Sequence, residues 1–448
     1  MKETQDPMVM KLIFSLILVL GLNAVQSQQS YPITFTHDGK TVNGTFTTPD
    51  GTGKFPTIIL NPGSGPNDRD GTLLLSGGNA ECLYPELNGE TLKPYKELAA
   101  ALVDSGYAVL RYDKLEFTYT GPALIPMTFH KLWLPVESAI AYVKTRPDVD
   151  TTKIILIGHS EGSALIPIIA KGRSDVKALI SIAGAVTTFD SIFAYQIVEF
   201  TKLCNGDTID AQFQADQLLE YYSYVRAGFC ASLPPLFGVP ACVWKDYVDT
   251  TDPVANNYNL CNQPTLFLGL GLDINVPSSE LIRFQNEVTI TEDFWSVPGL
   301  IHYMTPHDDP HVSEALTDTI IYWLREHNLV SGITPAGHES NVINIYPNPF
   351  TESISITLPE DEFNGTLFVY NALGQVVSTT DKIDFQNGSP VDLSYLMSGV
   401  YFLEINLDNH KVIRRIVRDD GAWPLSFRLS FDSAQNERST TGFRILMI

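Results

Sequence analysis

The sequence predicts an α/β protein, with a mostly parallel sheet covered by helices on both faces and a small all-β sandwich after it. Between residues 31 and 330, short apolar runs alternate with segments of helical periodicity. Those runs are apolar on both sides of the chain, as strands buried on both faces are. Beyond residue 341 the pattern changes to short alternating strands split by turn residues, which is typical of a sandwich.

The first 28 residues predict a signal peptide for secretion. Lys11 precedes an apolar run over residues 12–22, which small and polar residues follow. This run is too short for a transmembrane anchor, and no other stretch suits a membrane span, so we expect an exported protein. The formal net charge of −22 disfavours nucleic acid as a partner.

The elements of the α/β region follow one another in a regular order up to residue 186. An opening hairpin precedes the strand "FPTIIL", a helix over "YKELAAALVDSG" and the strand "YAVLRYD". The later strands are "KIILIG", "VKALISIAG", "PTLFLGLG" and "DFWSVPG", and the helix "SEALTDTIIYWLREHN" closes the region.

Residues 187–263 interrupt this alternation and predict a cap insertion. They contain four of the five cysteines. Export permits disulfides, and Cys230 and Cys242 flank a loop that a bridge could close. The pairing stays open, because four cysteines allow three pairings.

A candidate nucleophile lies at the end of "KIILIG". Residues 158–162 read Gly-His-Ser-Glu-Gly, a G-x-S-x-G pattern between a predicted strand and a predicted helix. The two glycines let a sharp turn close, so that the Ser160 hydroxyl stands clear of the backbone. This context predicts a catalytic serine.

A serine nucleophile needs a base, and the base needs a carboxylate that orients it. Asp273 follows one late strand and His302 follows the last one, which is the expected chain order. Asp252 is a weaker candidate, because it precedes its strand. His159 should point away from the site, and the prolines around His307 and His311 argue against a metal-binding helix there.

Across residues 31–330 the chain resembles the α/β-hydrolase family. The stretches "PGSGPNDRDG", "GYAVLRYDK", "GHSEG", "GLDINVP" and "PGLIHYM" are similar to those of bacterial secreted serine esterases with a GSGP-x-DRD loop. The resemblance implies hydrolysis of carboxylic esters with short or medium acyl groups. Many of these relatives continue "YDK" as R-G-x-G-x-S, whereas here "LEFTYTGP" follows, so the rim of the site differs.

The loop "NPGSGPNDRDG", residues 61–71, fits neither a phosphate loop, a dinucleotide loop nor a calcium loop, because each fails at specific positions. As the loop after an early strand, it should supply an oxyanion donor. We expect the backbone N–H groups of Ser64, with Gly65 as the alternative, and Glu161 to form the oxyanion hole. Asp68, Arg69 and Asp70 should brace the loop.

After a linker over residues 331–341, residues 342–418 resemble the C-terminal sorting domain of the type IX secretion system. The resemblance rests on "YPNPF", "YNALGQVV" and "LMSGVYFLEI" and implies passage through the outer membrane with the secretion machinery as partner. A carbohydrate-binding or adhesive sandwich is the alternative. Residues 419–448 show no clear periodicity.

Together these features predict a secreted or surface-exposed serine esterase that needs no metal or organic cofactor. Ser160, His302 and Asp273 would form its triad. A serine peptidase on the same fold would carry an identical triad, and a non-catalytic adhesin would carry a degenerate one.

Overall fold

The computed structural model of the protein describes residues 28–290 and 292–330, and several segments of the C-terminal region. Those segments are residues 344–346, 350–357, 364–371, 375–384, 390–397, 399–407 and 411–418. The predicted signal peptide up to residue 27, the linker and the tail after residue 418 lie outside the described residues.

An eight-stranded sheet forms the centre of the α/β region. Its strands are β1 (Gln29–His37), β2 (Lys40–Thr48), β3 (Phe55–Asn61), β6 (Ala108–Tyr112), β7 (Val149–His159), β8 (Val176–Ile182), β9 (Thr265–Leu270) and β10 (Glu292–Val297). They lie in the order β1-β2-β6-β3-β7-β8-β9-β10. The first two pairings are antiparallel and the other five are parallel. A separate small ribbon pairs β4 (Leu73–Leu74) with β5 (Thr91–Leu92).

Twelve α-helices occur among the described residues. They are α1 (Ala80–Leu83), α2 (Pro94–Asp104), α3 (Leu115–Thr118), α4 (Phe129–Trp133), α5 (Pro135–Val143), α6 (Glu161–Ala170), α7 (Phe189–Leu203), α8 (Thr208–Arg226), α9 (Ala241–Thr251), α10 (Val254–Asn259), α11 (Ser279–Glu287) and α12 (Glu314–Glu326). Three short 3₁₀ turns cover Pro85–Leu87, Gly121–Leu124 and Cys230–Ser232.

The sheet is buried on both faces. Helices α5, α6 and α11 pack on one face, and α2 and α12 pack on the other, each through a separate apolar cluster. The inner strands are almost wholly buried, as in β3 and β6. The predicted fold class is confirmed: a mostly parallel sheet lies between two helical layers.

Helices α7 to α10 all lie between β8 and β9, within the region predicted to form a cap. Two disulfides hold this insertion. Cys230–Cys242 closes a loop inside it, and Cys82–Cys204 ties the end of α7 to the segment at α1. Cys261 is a buried free thiol.

The C-terminal region is all-β, with two antiparallel sheets. Strands β11 (Asn344–Tyr346), β12 (Ser353–Thr357) and β15 (Pro390–Asp392) form one sheet. Strands β13 (Asn364–Asn371), β14 (Val376–Asp384), β16 (Gly399–Leu407) and β17 (Lys411–Arg418) form the other. Of the helices in the described residues, none combines the length and the apolar character that crossing a bilayer requires.

Candidate active site

The turn from β7 into α6 places Ser160 at the carboxyl edge of the parallel strands. Ser160 has φ 53° and ψ −120°, a strained conformation for a residue with a side chain. The flanking glycines explain how the turn closes. A Cβ on Gly158 would clash with the Gly162 carbonyl, and a Cβ on Gly162 would clash with the Asn61 carbonyl. The G-x-S-x-G spacing is therefore a steric requirement of this turn.

Asp273 and His302 lie on the loops after β9 and β10, and a hydrogen bond joins them. His302 Nδ1 lies 2.8 Å from Asp273 Oδ2, and both side chains are buried. The other carboxylate oxygen, Oδ1, accepts the N–H groups of Asn275 and Val276. These two N–H donors keep the carboxylate aimed at Nδ1, which leaves Nε2 as the other nitrogen of the His302 ring.

His159 connects the turn over residues 158–162, which we call the elbow, to the loop of His302. Its Nε2 donates to the His302 carbonyl at 2.9 Å, and its Nδ1 accepts from the Tyr95 hydroxyl at 2.9 Å. Burial, joined by the neighbouring His302, lowers the pKa of His159 to about 3, so the ring is neutral. The rings of His159 and His302 are 4.8 Å apart between centroids, so the residue next to Ser160 fixes the position of His302.

Within the described residues the Ser160 hydroxyl makes no hydrogen bond, and its backbone N–H donates to the Ile182 carbonyl. The Asp273–His302 pair is thus formed, while the bond between the serine and the imidazole is not. Such catalytic hydrogen bonds are often long in a free enzyme and tighten when substrate binds.

The loop over residues 61–71 is braced by its charged side chains. Arg69 binds Asp113 with two nitrogens and donates to the Gly44 carbonyl. Asp70 pairs with Arg111, and Asp68 accepts the N–H groups of Asp70 and Thr72. The charges therefore act within the loop and on the neighbouring strands.

The two expected oxyanion donors belong to two segments that pack together at Ser160, the loop over residues 61–71 and the start of α6. Gly63 packs against Ser160, because a Cβ on Gly63 would lie 3.2 Å from the Ser160 Cβ. The Gly63 N–H donates to the Tyr95 hydroxyl at 3.0 Å, so it is already used. In the described part of the chain, neither the Ser64 N–H nor the N–H of Glu161 at the start of α6 has an acceptor.

A buried ionic network that the sequence analysis did not foresee lies under these donors. Lys114 Nζ contacts the Gly63 carbonyl at 3.1 Å, Glu161 Oε2 at 3.2 Å and Glu116 Oε1 at 3.1 Å. The Trp133 indole donates to Glu161 Oε1 at 3.0 Å. Burial opposes the charge on Lys114, but Glu116 and Glu161 outweigh it and raise its pKa above the ordinary value.

A cavity of about 660 Å³ opens beside Ser160. Ser64, Gly65, Ser160 and Glu161 lie on one side of it. The rest of its wall is largely apolar and comes mostly from residues 187–254 and residues 114–133, with Phe189, Phe193, Trp244, Tyr247 and Trp133 among its large aromatic members. The buried Asp273 and His302 do not line the cavity.

The other candidate residues have partners elsewhere. Asp252, the weaker candidate acid, pairs with Arg226 at 2.8 Å in the cap. His311 lies 3.2 Å from Glu97, and His307 lies near Asp308.

One set of potential metal ligands, His37, Asp38 and His130, occurs among the described residues. The imidazole nitrogens of this set already have protein partners. His37 contacts Ser138 and the His130 carbonyl, and His130 contacts Asp38 and Glu137. A cation would have to displace these bonds.

Two family models match parts of the chain. Residues 136–229, a range that includes the elbow at Ser160, match the model "BAAT / Acyl-CoA thioester hydrolase C terminal". Residues 344–419 match the model "Secretion system C-terminal sorting domain". The C-terminal module is therefore a sorting domain, and a domain of this kind directs its chain to the cell surface or the extracellular space.

A curated relative and several solved structures are similar to the α/β region. Esterase EstD from Thermotoga maritima is 32% identical over 170 residues, which cover 37% of this chain and 36% of that esterase. Est1E from Butyrivibrio proteoclasticus, solved with ferulic acid, is 19% identical with a TM-score of 0.42 and covers 66% of this chain and 99% of its own. Acetyl xylan esterase 1 from a Thermoanaerobacterium species is 16% identical with a TM-score of 0.41. The match covers 68% of this chain and 84% of that esterase.

The sheet order, the strained elbow and the Asp–His pair define a protein of the α/β-hydrolase fold. The chain combines this fold with a C-terminal sorting domain of a secretion system. The match to the curated esterase spans about a third of the length of each protein.

Proposed function

We propose that the protein is a secreted serine hydrolase that cleaves carboxylic esters through an acyl-enzyme. The observation that carries the proposal is the Asp273–His302 hydrogen bond of 2.8 Å beside the strained Ser160 elbow. Two further features support it: N–H groups that have no acceptor among the described residues lie near the serine, and a large apolar cavity opens beside it.

In the proposed mechanism, Ser160 Oγ attacks the acyl carbon while His302 Nε2 takes its proton. The Asp273 carboxylate holds the imidazole in the correct tautomer and stabilises its cationic form. The N–H groups of Ser64 and Glu161 receive the oxyanion, and each such donor typically contributes about 3 kcal/mol to lowering the barrier. His302 then protonates the departing alcohol, and water releases the acid by the same steps.

The cavity bears on the size of the acyl group. A volume of about 660 Å³ with a largely apolar wall exceeds what an acetyl group requires. We therefore propose short and medium acyl groups as substrates, with turnover rising from acetyl to medium chain lengths as more apolar surface is buried, at roughly 25 cal/mol per Å². A series of nitrophenyl esters of graded length measures this, and a steady decline in kcat/KM from acetyl onward would contradict it.

The test of the nucleophile is Ser160→Ala. It should lower kcat for a nitrophenyl ester by at least about 10⁴-fold, because the remaining site cannot form an acyl-enzyme. Ser191→Ala, at a serine of the cap helix α7, is the matched control and should retain turnover. A fluorophosphonate should label wild-type Ser160 and leave the alanine variant unmodified. Turnover near the wild-type level in Ser160→Ala would refute Ser160 as the nucleophile, whereas no turnover in the wild type would favour the non-catalytic adhesin.

A serine peptidase is the second candidate, since its triad would be identical. Comparing a short nitrophenyl ester with an aminoacyl nitroanilide separates the two activities. We expect the ester to react faster, and faster turnover of the anilide would replace the esterase with a peptidase.

We also propose the division of the chain that the sequence predicted. A signal peptide over residues 1–28 precedes the catalytic domain over residues 29–330, with its cap at about 187–263. A linker over residues 331–341 leads to the sorting domain over 342–418. The sorting domain would bind the secretion machinery, whereas the catalytic domain would bind the small ester substrate.

A further inference from the structure

Lys114 is a buried cation beside the proposed reaction centre. It lies two residues after the end of β6, and its side chain is buried, with three acceptors around Nζ. One acceptor is the carbonyl of Gly63, and another is the carboxylate of Glu161. These are the two segments that carry the proposed oxyanion donors, so a single ammonium group touches both.

The contact with Gly63 has a consequence for Ser64, because the two residues share one peptide plane. In a planar trans peptide the C=O of residue 63 and the N–H of residue 64 point in opposite directions. Lys114 Nζ at 3.1 Å and Asn67 Nδ2 at 3.0 Å both hold the Gly63 carbonyl. The Ser64 N–H is thereby turned to the opposite side, where it lacks an acceptor among the described residues and Ser64 lines the cavity.

The cation also acts on the strength of this donor. A positive charge on a carbonyl oxygen polarises the whole peptide group, and hydrogen bonds in such a chain strengthen one another. The site is buried, so water screens this effect little. The Ser64 N–H should thus be a better donor than an ordinary amide.

The second segment is fixed through the side chain of Glu161. Its Oε2 accepts from Lys114 at 3.2 Å and its Oε1 accepts from Trp133 at 3.0 Å. Burial and the charge of the nearby Glu161 carboxylate also raise the pKa of Tyr247, which lies on α9. Glu161 thus cannot rotate freely, and the first turn of α6 is held against the Gly63 carbonyl through one lysine.

We propose that Lys114 is a positioning residue that orients and polarises the Gly63–Ser64 peptide as an oxyanion donor. The inference rests on the proposed function and deepens it. Lys114 would not touch the substrate. It would act through the peptide and through Glu161, and its contribution would appear in the transition state, where the oxyanion forms.

The test compares Lys114→Met with Lys131→Met in the full chain. Lys131 is also buried and donates to a carbonyl, that of Pro126, but it does not touch the loop or the elbow. We expect Lys114→Met to lower kcat for a nitrophenyl ester by about 10- to 100-fold with KM within about twofold, below the loss from deleting a whole donor. Lys131→Met should keep the wild-type kcat.

Two further readouts separate positioning from a general loss of structure. Inhibition by a trifluoromethyl ketone, which forms an oxyanion on the serine, should weaken in Lys114→Met by the same factor as kcat. In Lys114→Ala, added ethylammonium should restore part of kcat, because it can occupy the vacated cation site. If Lys114→Met fails to fold, the double variant Lys114→Met/Glu161→Gln removes the more buried of the two carboxylates that lose their cation and should show the same loss of kcat.

The outcomes distinguish this inference from the proposed function. An inactive Ser160→Ala together with wild-type kcat in folded Lys114→Met, or in the folded double variant, would overturn the role of Lys114 alone. Wild-type turnover in Ser160→Ala would overturn the proposed serine mechanism and the role of Lys114 with it. A parallel fall in kcat and ketone affinity, with partial rescue by ethylammonium, would support the inference.

Discussion

At the scale of single residues, His159 shows how a side chain next to the proposed nucleophile can act by position alone. It is buried between the Tyr95 hydroxyl and the His302 carbonyl, and Tyr95 in turn accepts the Gly63 N–H. Burial raises the pKa of Tyr95 to about 12, so the phenol stays neutral and donates to His159. A line of hydrogen bonds therefore runs from the loop over residues 61–71 to the loop that carries His302.

The pKa of His159 makes a prediction about stability. It is about 3 in the folded protein, against an ordinary value of 6.5, so the unfolded chain binds a proton that the folded chain does not. The contribution of His159 to the free energy of unfolding is therefore fully present above pH 6.5 and is lost as the pH falls towards 3. This one group should lower the free energy of unfolding by about 2 kcal/mol between about pH 7.5 and about pH 5.

Urea unfolding of wild type and His159→Gln over that pH range measures this contribution. Glutamine can still donate to the His302 carbonyl but does not titrate, so the difference in stability between the two proteins should shrink on acidification. His311→Gln, at an exposed histidine, is the matched control. If the free energy of unfolding depended on pH equally in wild type and in His159→Gln, the prediction would be contradicted.

The sequence revealed the three triad candidates but not the residues that hold them. Ser160, Asp273 and His302 each follow a strand in a fixed chain order, which is a one-dimensional signal. Tyr95 and Trp133 lie on helices whose contacts appear only after the sheet is assembled. Lys114 carried a signal that could have been used: a lysine two residues after a mainly apolar strand lies at the edge where sites form.

At the scale of elements, Arg226 joins three helices of the cap. It ends α8, pairs with the buried Asp190 of α7 at 2.6 Å, and pairs with Asp252 after α9 at 2.8 Å. Hydrogen bonds to Asp190 and Asp252 raise the pKa of Arg226 further above its ordinary value, despite the opposing effect of burial. The helical character of this region was predictable from the sequence, whereas the crossing of its helices and the Cys82–Cys204 bridge depend on long-range contacts.

Arg226→Met should loosen the cap, because it leaves the Asp190 carboxylate without its cation. Arg226 is partly exposed, so we expect a loss of about 1–2 kcal/mol rather than the full cost of a buried pair. Limited proteolysis should cut residues 204–240 faster, and KM for the longest ester should rise. Lys202→Met, which removes an exposed pair within α7, is the control. Equal cleavage rates in the two variants would show that Arg226 does not hold the cap.

At the scale of the whole molecule, the cavity and the sorting domain are built from separate parts of the chain. The cavity is lined by residues between Ser64 and Val276. The sorting domain contacts the α/β region elsewhere: Phe402 joins the apolar cluster of α2 and α12, and Arg414 lies 3.2 Å from Asp318 of α12. Hydrolysis and export should thus be separable.

Deleting residues 342–448 should leave kcat unchanged and abolish release past the outer membrane. The deletion also exposes the apolar surface that Phe402 covers, which should lower the free energy of unfolding by about 2 kcal/mol. Phe402→Ala in the full chain is the matched variant, because it should share the loss of stability but keep both export and kcat. Activity in culture supernatants and in purified protein measures the two properties separately. A kcat that falls in the deletion and in Phe402→Ala alike would mean that this contact supports the active site, and that the sorting domain is also part of the working hydrolase.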